Sequence, residues 1–287
     1  MSLVAVMVVV TACRKEEEKK DYPSTLPGEK ITYVYESSVF KTELKNVATD
    51  EWMVLSEHEH ERQLTHKFVW DGERLASLED HKNDLYYSFE YDGYGRIIRI
   101  VCDRDKGFTR TLFYDEEGRL SRSEGARTRS DGTQFATQTL VYTWENGLLK
   151  TIEEDYWSHN PGESTVSRKS TFAYTWKDGN VISTERRVHK NGQDSQTRYN
   201  YEYGAAVNPL HGFVYLMIPG MGVFFDYEGI DGLSRNLPSH IESDPIEFYD
   251  YSYTGDPVTS FGKLLFEYAT PVMRMTTDYT VELEYLR

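Results

Sequence analysis

Cysteine is scarce in this sequence, which has only Cys13 and Cys102 among 287 residues. A chain of this length can bury about 75% of its unfolded surface, so neither disulfide bonds nor a cofactor is needed for stability. We expect a domain that is stabilised by its apolar core and that carries no cofactor.

Basic residues are outnumbered, since 32 lysines and arginines stand against 47 aspartates and glutamates, for a net charge of −15. Such a surface repels polyphosphate and anionic lipid. Nucleic acid and direct adsorption to a membrane are therefore disfavoured, whereas a glycan or a protein partner remains compatible with the charge.

Catalytic motifs are missing as well. The sequence has no Gly-x-Ser-x-Gly turn for a nucleophilic serine, and the turn at 220–222 does not continue as a phosphate-binding G-x-G-x-x-G. With so many acidic residues, close carboxylates arise by chance, so Glu153, Glu154 and Asp155 are expected on solvated faces. We therefore expect a protein without catalysis; an enzyme that acts on polysaccharide is the least favoured alternative.

Histidine offers one weak candidate for a metal site, the run "EHEHE" at 57–61. On a strand, His58 and His60 point the same way, and zinc would need a third ligand such as His66 or His81 from a neighbouring strand. No closing ligand is evident, so we expect two solvated histidines and no metal.

Long hydrophobic runs are absent; the longest near the N-terminus, Leu3 to Val10, is far too short to cross a bilayer of ~30 Å as a helix. We interpret residues 1–12 as a signal peptide. Residues 10–13, "VTAC", resemble the bacterial lipobox, which implies that Cys13 is lipidated and that residues 13–30 form a tether. Cys102 would then have no partner.

The tether carries Lys15, Glu16, Glu17 and Glu18, which resemble the signal that sends some outer-membrane lipoproteins to the cell exterior. A plain solvated linker is the alternative. We expect an outer-membrane lipoprotein that faces outward and contacts the membrane through its lipid anchor alone.

Aromatic residues are abundant, with 22 tyrosines, and many stand before tight turns. The phrase "FEYDGYGRIIRI" at 89–100 returns as "LFYDEEGRLSRS" at 113–124, with related phrases at 68–79, 142–153 and 174–185. Asp-Gly and Asn-Gly supply the positive φ angles of hairpin turns, and the flanking residues alternate with the period of a strand. Each copy is therefore predicted to be one hairpin of a meander.

The predicted fold is all-β: an up-and-down antiparallel meander of about 14 to 18 strands over residues 31–287, curled or closed into a barrel. The apolar, Gly- and Pro-containing segment 208–241 is predicted as a helix-plus-loop insertion in which Asn208 caps a short helix and Pro209 lies in its first turn. Strands are expected to resume near Ile246. The second face of the strands carries Thr, Ser, Glu, Lys and Arg, so we expect a water-soluble barrel with the aromatic residues inside.

The hairpins resemble YD repeats of Rhs-type proteins, through Tyr91-Asp92 with Gly95-Arg96 and Tyr114-Asp115 with Gly118-Arg119. The whole chain, with its lipobox and "GLSRNLPSHI" at 232–241, is similar to an uncharacterised family of bacterial lipoproteins with a porin-like fold. That resemblance implies a porin-like barrel and no known activity.

Three functions remain open. A non-catalytic surface lipoprotein that binds a ligand or partner, such as a glycan or an outer-membrane uptake complex, ranks first. A structural or shielding module ranks second, and the polysaccharide enzyme third. For glycan binding, Trp157 is the candidate contact, because it precedes the polar turn at 158–163 near a rim.

The lipobox leads to a prediction about anchoring. Cys13→Ala removes the only thiol that the motif can acylate, so the variant should be released from membranes and should lose labelling by an acyl-chain analogue. Membrane fractionation and click labelling measure both. Unchanged membrane association would remove the lipoprotein interpretation.

Overall fold

The computed structural model describes residues 30–103, 108–159, 162, 165–219, 221–223, 230–244, 247–255, 257–269 and 273–286. Sixteen strands form the domain. They are β1 Ile31–Asn46, β2 Glu51–Asp71, β3 Arg74–Asp80, β4 Leu85–Tyr91, β5 Ile97–Cys102, β6 Phe108–Tyr114, β7 Leu120–Thr128, β8 Gln134–Glu145, β9 Leu148–Ser158, β10 Val166–Lys177, β11 Asn180–Lys190, β12 Gln193–Val207, β13 Asn236–Asp244, β14 Glu247–Thr254, β15 Ser260–Ala269 and β16 Met273–Tyr285.

The sheet is a closed antiparallel barrel in which every strand pairs with its neighbours in sequence, and β1 pairs with β16 to close it. This confirms the predicted up-and-down meander. We call the end with the turns that follow the even-numbered strands the lower rim, and the opposite end the upper rim. Residue 30 lies at the lower rim, where the Leu286 amide donates to the Lys30 carbonyl at 2.7 Å.

The repeated turn phrase is explained by the aspartate side chain. Asp92 Oδ1 accepts the backbone amides of Tyr94 and Arg96, each at 2.9 Å, and Asp92 Oδ2 accepts Arg96 Nε at 2.7 Å. Asp115 makes the same set of bonds with Glu117 and Arg119. The spacing Asp-x-x-x-Arg is thus a turn that is closed by its own side chains.

The aromatic residue near the lower end of each even-numbered strand forms a hydrogen bond of its own. Eight such residues each donate an indole N–H or a phenol O–H to a backbone carbonyl at or just before the start of the preceding strand. The pairs are Trp70 with Ile31, Tyr91 with Leu75, Tyr114 with Ile97, Trp144 with Leu120, Trp176 with Leu149, Tyr203 with Val181, Tyr253 with Pro238 and Tyr285 with Val258. We call these eight donors the aromatic belt.

The geometry of the belt is the same all round the barrel. In each pair of strands, the backbone ladder begins two residues after the acceptor and three residues before the aromatic donor. In six hairpins the register also shifts just before the aromatic residue. A bulge re-aims a side chain, so the aromatic ring can supply the hydrogen bond that the splayed backbones no longer make.

The insertion differs from its prediction in extent and in detail. It covers residues 208–235, because β13 already begins at Asn236, not near Ile246. Pro238 obscured this strand in the sequence; it lies opposite Tyr203 at a register shift, where a missing amide is tolerated. Residues 208–212 are turns without a helix, and the helical pieces are a 3₁₀ turn, Val214–Met217, and α1, Ile230–Leu233.

Asn208 is therefore not a helix cap. Its Nδ2 donates to the carbonyls of Asp231 and Ser234, both at 2.8 Å, and its Oδ1 accepts the Leu210 amide. The Asn208 side chain thus links the first residues of the insertion to its last residues. Among the described residues, no helix has the length and apolar character needed to cross a membrane.

The belt can be tested by removing one donor while its ring is kept. Trp144→Phe leaves the Leu120 carbonyl without its indole partner in a buried position, which should lower the free energy of unfolding by about 1–3 kcal/mol. Trp157→Phe is the matched control, since Trp157 is 39% exposed and should cost no more than about 0.5 kcal/mol. Urea unfolding measures both; equal losses would contradict a structural role for the belt.

Candidate functional site

The insertion, residues 208–235, is called the plug here, and its described residues, 208–219, 221–223 and 230–235, pack inside the barrel. Its Tyr215 is buried and packs edge-on against Tyr87 and Phe89 of β4, with ring centroids 5.4 and 5.5 Å apart. Plug residues Leu210, Leu216 and Leu233 belong to the same buried cluster as the inward residues of the strands. The lower part of the lumen is consequently a packed core.

The plug is tied to the lower rim by polar contacts. Ser234 Oγ accepts the Val181 amide at 3.1 Å and lies 2.7 Å from the Tyr203 hydroxyl of the belt. Asp231, which is 1% exposed, accepts the Val223 amide through Oδ2 at 2.7 Å. A Cβ at Gly232 would lie 2.8 Å from the Phe213 carbonyl oxygen, so only glycine permits this close approach.

Above the plug, the lumen retains a cavity of about 290 Å³. Its wall combines inward residues of the strands with Met221–Val223 and Tyr215 of the plug. The strand residues are His66, Leu78, Asp80, Asn83, Leu85, Tyr87, Phe108, Arg110, Arg127 and Gln138. Asn83 and Arg127 are exposed, which places the mouth at the upper rim.

Arg110 on β6 is the most unusual residue of this wall, because its side chain is fully buried. Its Nη1 donates to Ser123 Oγ at 2.9 Å and its Nη2 donates to Gln138 Oε1, while Nε has no hydrogen-bond partner within the described part of the chain. Burial lowers the pKa of Arg110 below its usual range. Its direct side-chain partners are a hydroxyl and an amide, which are neutral.

Gly125 makes room for this guanidinium. A Cβ at Gly125 would meet Arg110 Nη2 at 2.8 Å and Cζ at 3.1 Å. The absence of a side chain on β7 therefore lets the arginine lie flat against the wall, beside the Phe108 ring at 5.6 Å.

A buried acid lies behind Gln138. Gln138 Nε2 donates to Glu154 Oε1 at 2.5 Å, and Glu154 also accepts bonds from Arg168 and from Ser170 Oγ, the latter at 2.6 Å. Burial alone would raise the pKa of Glu154, but the hydrogen bonds from Arg168, Ser170 and Gln138 hold it below its usual range. Glu154 is thus ionised and paired with Arg168.

A second cavity of about 230 Å³ adjoins the first and shares Phe108, Arg127 and Gln138 with it. Its further inward residues include Tyr156 and Arg168, whose guanidinium lies 4.8 Å from the Tyr156 ring. We call the two spaces together the upper cavity.

His66 contributes an uncharged imidazole to the upper cavity. It is 4% exposed, its Nδ1 lies 3.2 Å from Thr65 Oγ1, and its Nε2 lies 3.9 Å from Asp80 Oδ1. Burial lowers its pKa to about 4, outweighing the attraction of Asp80, while Lys82 and His81 lower it further. His66 is therefore neutral at pH 7.

The other predicted histidines are not brought together. His58 and His60 are exposed and pair with Phe40 and Ser38 of β1, on a part of β2 that extends beyond its ladder with β3. The described residues contain no group of three potential metal ligands. This part of β2 is an exposed strand edge, and charged side chains on such an edge discourage pairing with a second molecule. The run "EHEHE" can therefore be explained without a metal site.

Trp157 lies near the upper rim, as predicted, and it is on the outer face of β9. Its ring is 39% exposed and stacks on His159 with centroids 6.4 Å apart. Cys13, Lys15, Glu16, Glu17 and Glu18 lie outside the described residues.

The placement of Glu154 corrects the expectation that residues 153–155 are all solvated. Glu153 and Asp155 are exposed, whereas Glu154 is buried in the lumen. Strand alternation contained the signal, because Glu154 shares a face with Ile152 and Tyr156. Arg110, between Phe108 and Leu112, has the same signature of a charge at an inward position.

The low pKa of His66 predicts a pH dependence of stability. His66 has a pKa near 6.5 in the unfolded chain and of about 4 in the folded chain. Its contribution to the free energy of unfolding is therefore complete above pH 6.5 and is lost as the pH falls towards 4. At about 1.4 kcal/mol per pKa unit, the loss approaches about 3 kcal/mol.

The measurement is urea unfolding at pH 7.0, 5.5 and 4.5, with His66→Gln compared with the native chain. His66→Gln should lose less stability across this interval, and the exposed-site control His58→Gln should follow the native chain. Identical pH profiles for all three proteins would show that His66 does not resist protonation.

No family model matches the sequence, and no curated protein matches it either. Among the solved structures that match this chain are two from Bacteroides species. A porin-like protein from Bacteroides vulgatus is 15% identical, with a TM-score of 0.52 and coverage of 90% of this chain and 99% of that chain. A porin-like protein from Bacteroides uniformis is 13% identical, with a TM-score of 0.48 and coverage of 91% and 100%. The first likeness agrees with the barrel described above and concerns the fold alone.

Proposed function

We propose that this chain is a non-catalytic binding protein, anchored at the outer cell surface, whose upper cavity holds a small ligand. The observation that carries the proposal is a lumen that is packed at its lower end and open at its upper end. Aromatic and polar side chains converge there, as in small-molecule sites. Such a lumen suits retention of a ligand better than its passage.

The position of the tether supports an outward-facing mouth. Residue 30 lies at the lower rim, so the point at which a preceding tether would join the barrel is at the end opposite the upper cavity. With Cys13 held in a membrane by its acyl chains, and with Lys15 to Glu18 directing export, the mouth points away from that membrane. A ligand from the medium then reaches it directly.

The outer face of the barrel suits water. Cross-strand ion pairs lie along it, such as Arg99 with Glu90 at 3.1 Å and Lys169 with Asp155 at 3.3 Å, with about half or more of each side chain exposed. Charged pairs of this kind are costly against lipid and cost little in water. They favour a tethered barrel over an inserted one.

The chemistry of the upper cavity favours binding over catalysis. Thr65, His66 and Asp80 are the nearest approach to a nucleophilic triad, but the Thr65 hydroxyl donates to the Val34 carbonyl at 3.0 Å. Its proton is therefore not presented to His66. Glu154 is ionised and held by Arg168, so it is a poor general acid.

A structural or shielding module is the second candidate. The packed lower lumen favours it, because a core of this kind stabilises the barrel whether or not a ligand binds. A ligand screen separates the two functions.

Two neighbouring residues allow the binding site to be located. Tyr156 faces the upper cavity and Trp157 faces outward, so Tyr156→Ala should weaken binding of short oligosaccharides, and Trp157→Ala should weaken only longer polysaccharides that extend across the rim. Loss of one aromatic contact should cost about 1–3 kcal/mol.

Tryptophan fluorescence titrated with neutral and acidic glycans measures these affinities in the native protein and in both variants. No response to any glycan would favour the structural module. Quenching that persists unaltered in Trp157→Ala would retain the function and reject that residue.

A further inference from the structure

We propose that the upper cavity recognises the oxyanion of its ligand, a carboxylate or a sulfate, and that Arg110 is the residue that binds it. This inference rests on the proposed function and specifies the chemical class of the ligand. The protein as a whole is acidic, yet this cavity is basic.

The first support is the balance of charge around the cavity. Among the described residues, the charged side chains that line its two parts are three arginines, Arg110, Arg127 and Arg168, and one acid, Asp80; Arg168 is paired with the buried Glu154. Asp80 is already engaged by the amide and side chain of Asn83, at 3.1 and 2.8 Å. His66 adds no charge at neutral pH. With Arg168 neutralised by Glu154, the two remaining arginines, Arg110 and Arg127, still outnumber the single acid of the described wall.

The second support is the incomplete pairing of Arg110. A buried cation is costly unless an anion or a full set of hydrogen bonds compensates it. Among the described residues, its hydrogen bonds go to Ser123 and Gln138, and Glu154 is reached only through Gln138. The unpartnered Nε–H is a donor that an oxyanion can accept from.

The third support is that this arrangement is built by neighbouring residues. Gly125 leaves space for the guanidinium, and Ser123 and Gln138 hold two of its nitrogens. The planar fork is thereby fixed before a ligand arrives, which reduces the entropy lost on binding. Ser123 and Gln138 are neutral and leave the positive charge available.

The fourth support is the path to the site. Arg127 is exposed at the mouth, and its guanidinium lies 6.0 Å from the centre of the Phe108 ring. Arg110, two residues further along β6, lies 5.6 Å from the same ring. Two arginines thus flank one aromatic ring from the mouth to the interior. The part of the upper cavity that Arg110 lines has a volume of about 290 Å³, close to the lower limit of roughly 300 Å³ for small-molecule sites, which suits a small anion such as a single sugar acid.

Isothermal titration of the full chain at low salt tests the inference with four probes: glucuronate, sulfate, phosphate and glucose. We expect glucuronate or sulfate to bind and glucose to bind much more weakly. Arg110→Gln should reduce the affinity by about 30-fold or more, as for a truncated buried charge. Arg127→Gln should reduce it less and should weaken its salt dependence.

Arg187→Gln is the control, since Arg187 is 69% exposed on β11 and its partner is Glu185; this variant should bind normally. Circular dichroism checks the fold of each variant, and Arg127→Gln, an exposed position, keeps the test decisive if Arg110→Gln does not fold. Binding of glucuronate alone identifies a sugar acid, and equal binding of the inorganic anions identifies the oxyanion itself.

Equal binding of glucose and glucuronate, unaffected by both lumenal variants, would overturn the anion inference and leave the proposed binding function in place. If neither these probes nor the glycan panel binds, both fail.

Discussion

The hydrogen bond from an aromatic side chain to the carbonyl of the preceding strand is the interaction on which the barrel depends. Adjacent strands separate towards the lower rim, and each would leave a carbonyl without a ladder partner there. A buried orphan carbonyl costs about 1–3 kcal/mol. The belt supplies the missing donor eight times with one geometry, and it fills the lower lumen with the same rings.

This constraint also explains how a chain with free ends forms a closed sheet. Seven aromatic donors precede a turn or the plug, whereas Tyr285 ends the last strand and pairs with Ile31 across the seam between β16 and β1. Its bond to the Val258 carbonyl repeats the pattern of the other seven. The first and last strands therefore complete an eighth pair of the same kind without a covalent turn.

Much of this architecture could be predicted from sequence because it is local. The hairpins follow from Asp-Gly and Asn-Gly turns with flanking alternation. Six of the eight belt residues, from Trp70 in β2 to Tyr203 in β12, are identified by the turns or glycines that follow them. Tyr253 and Tyr285 lack the same turn signal. Closure required a contact between Ile31 and Tyr285, which no local pattern encodes, and β13 was missed because Pro238 and the apolar segment before it resemble a loop.

The upper cavity was harder to predict for a different reason. A core-facing position normally excludes charge, so the chemistry of Glu154 favours a solvated position, although its register places it inside; Arg110 carries the same conflict. The plug resolves the conflict: its described residues pack the lower lumen, and Tyr215 and Val223 border the space that remains above them. Buried charge is tolerated where Gly125, Ser123 and Gln138 support Arg110, and where Arg168 and Ser170 support Glu154. Inward charge on an otherwise apolar strand face is thus the sequence signal of this cavity, and the aromatic belt provides the rigid floor on which it is built.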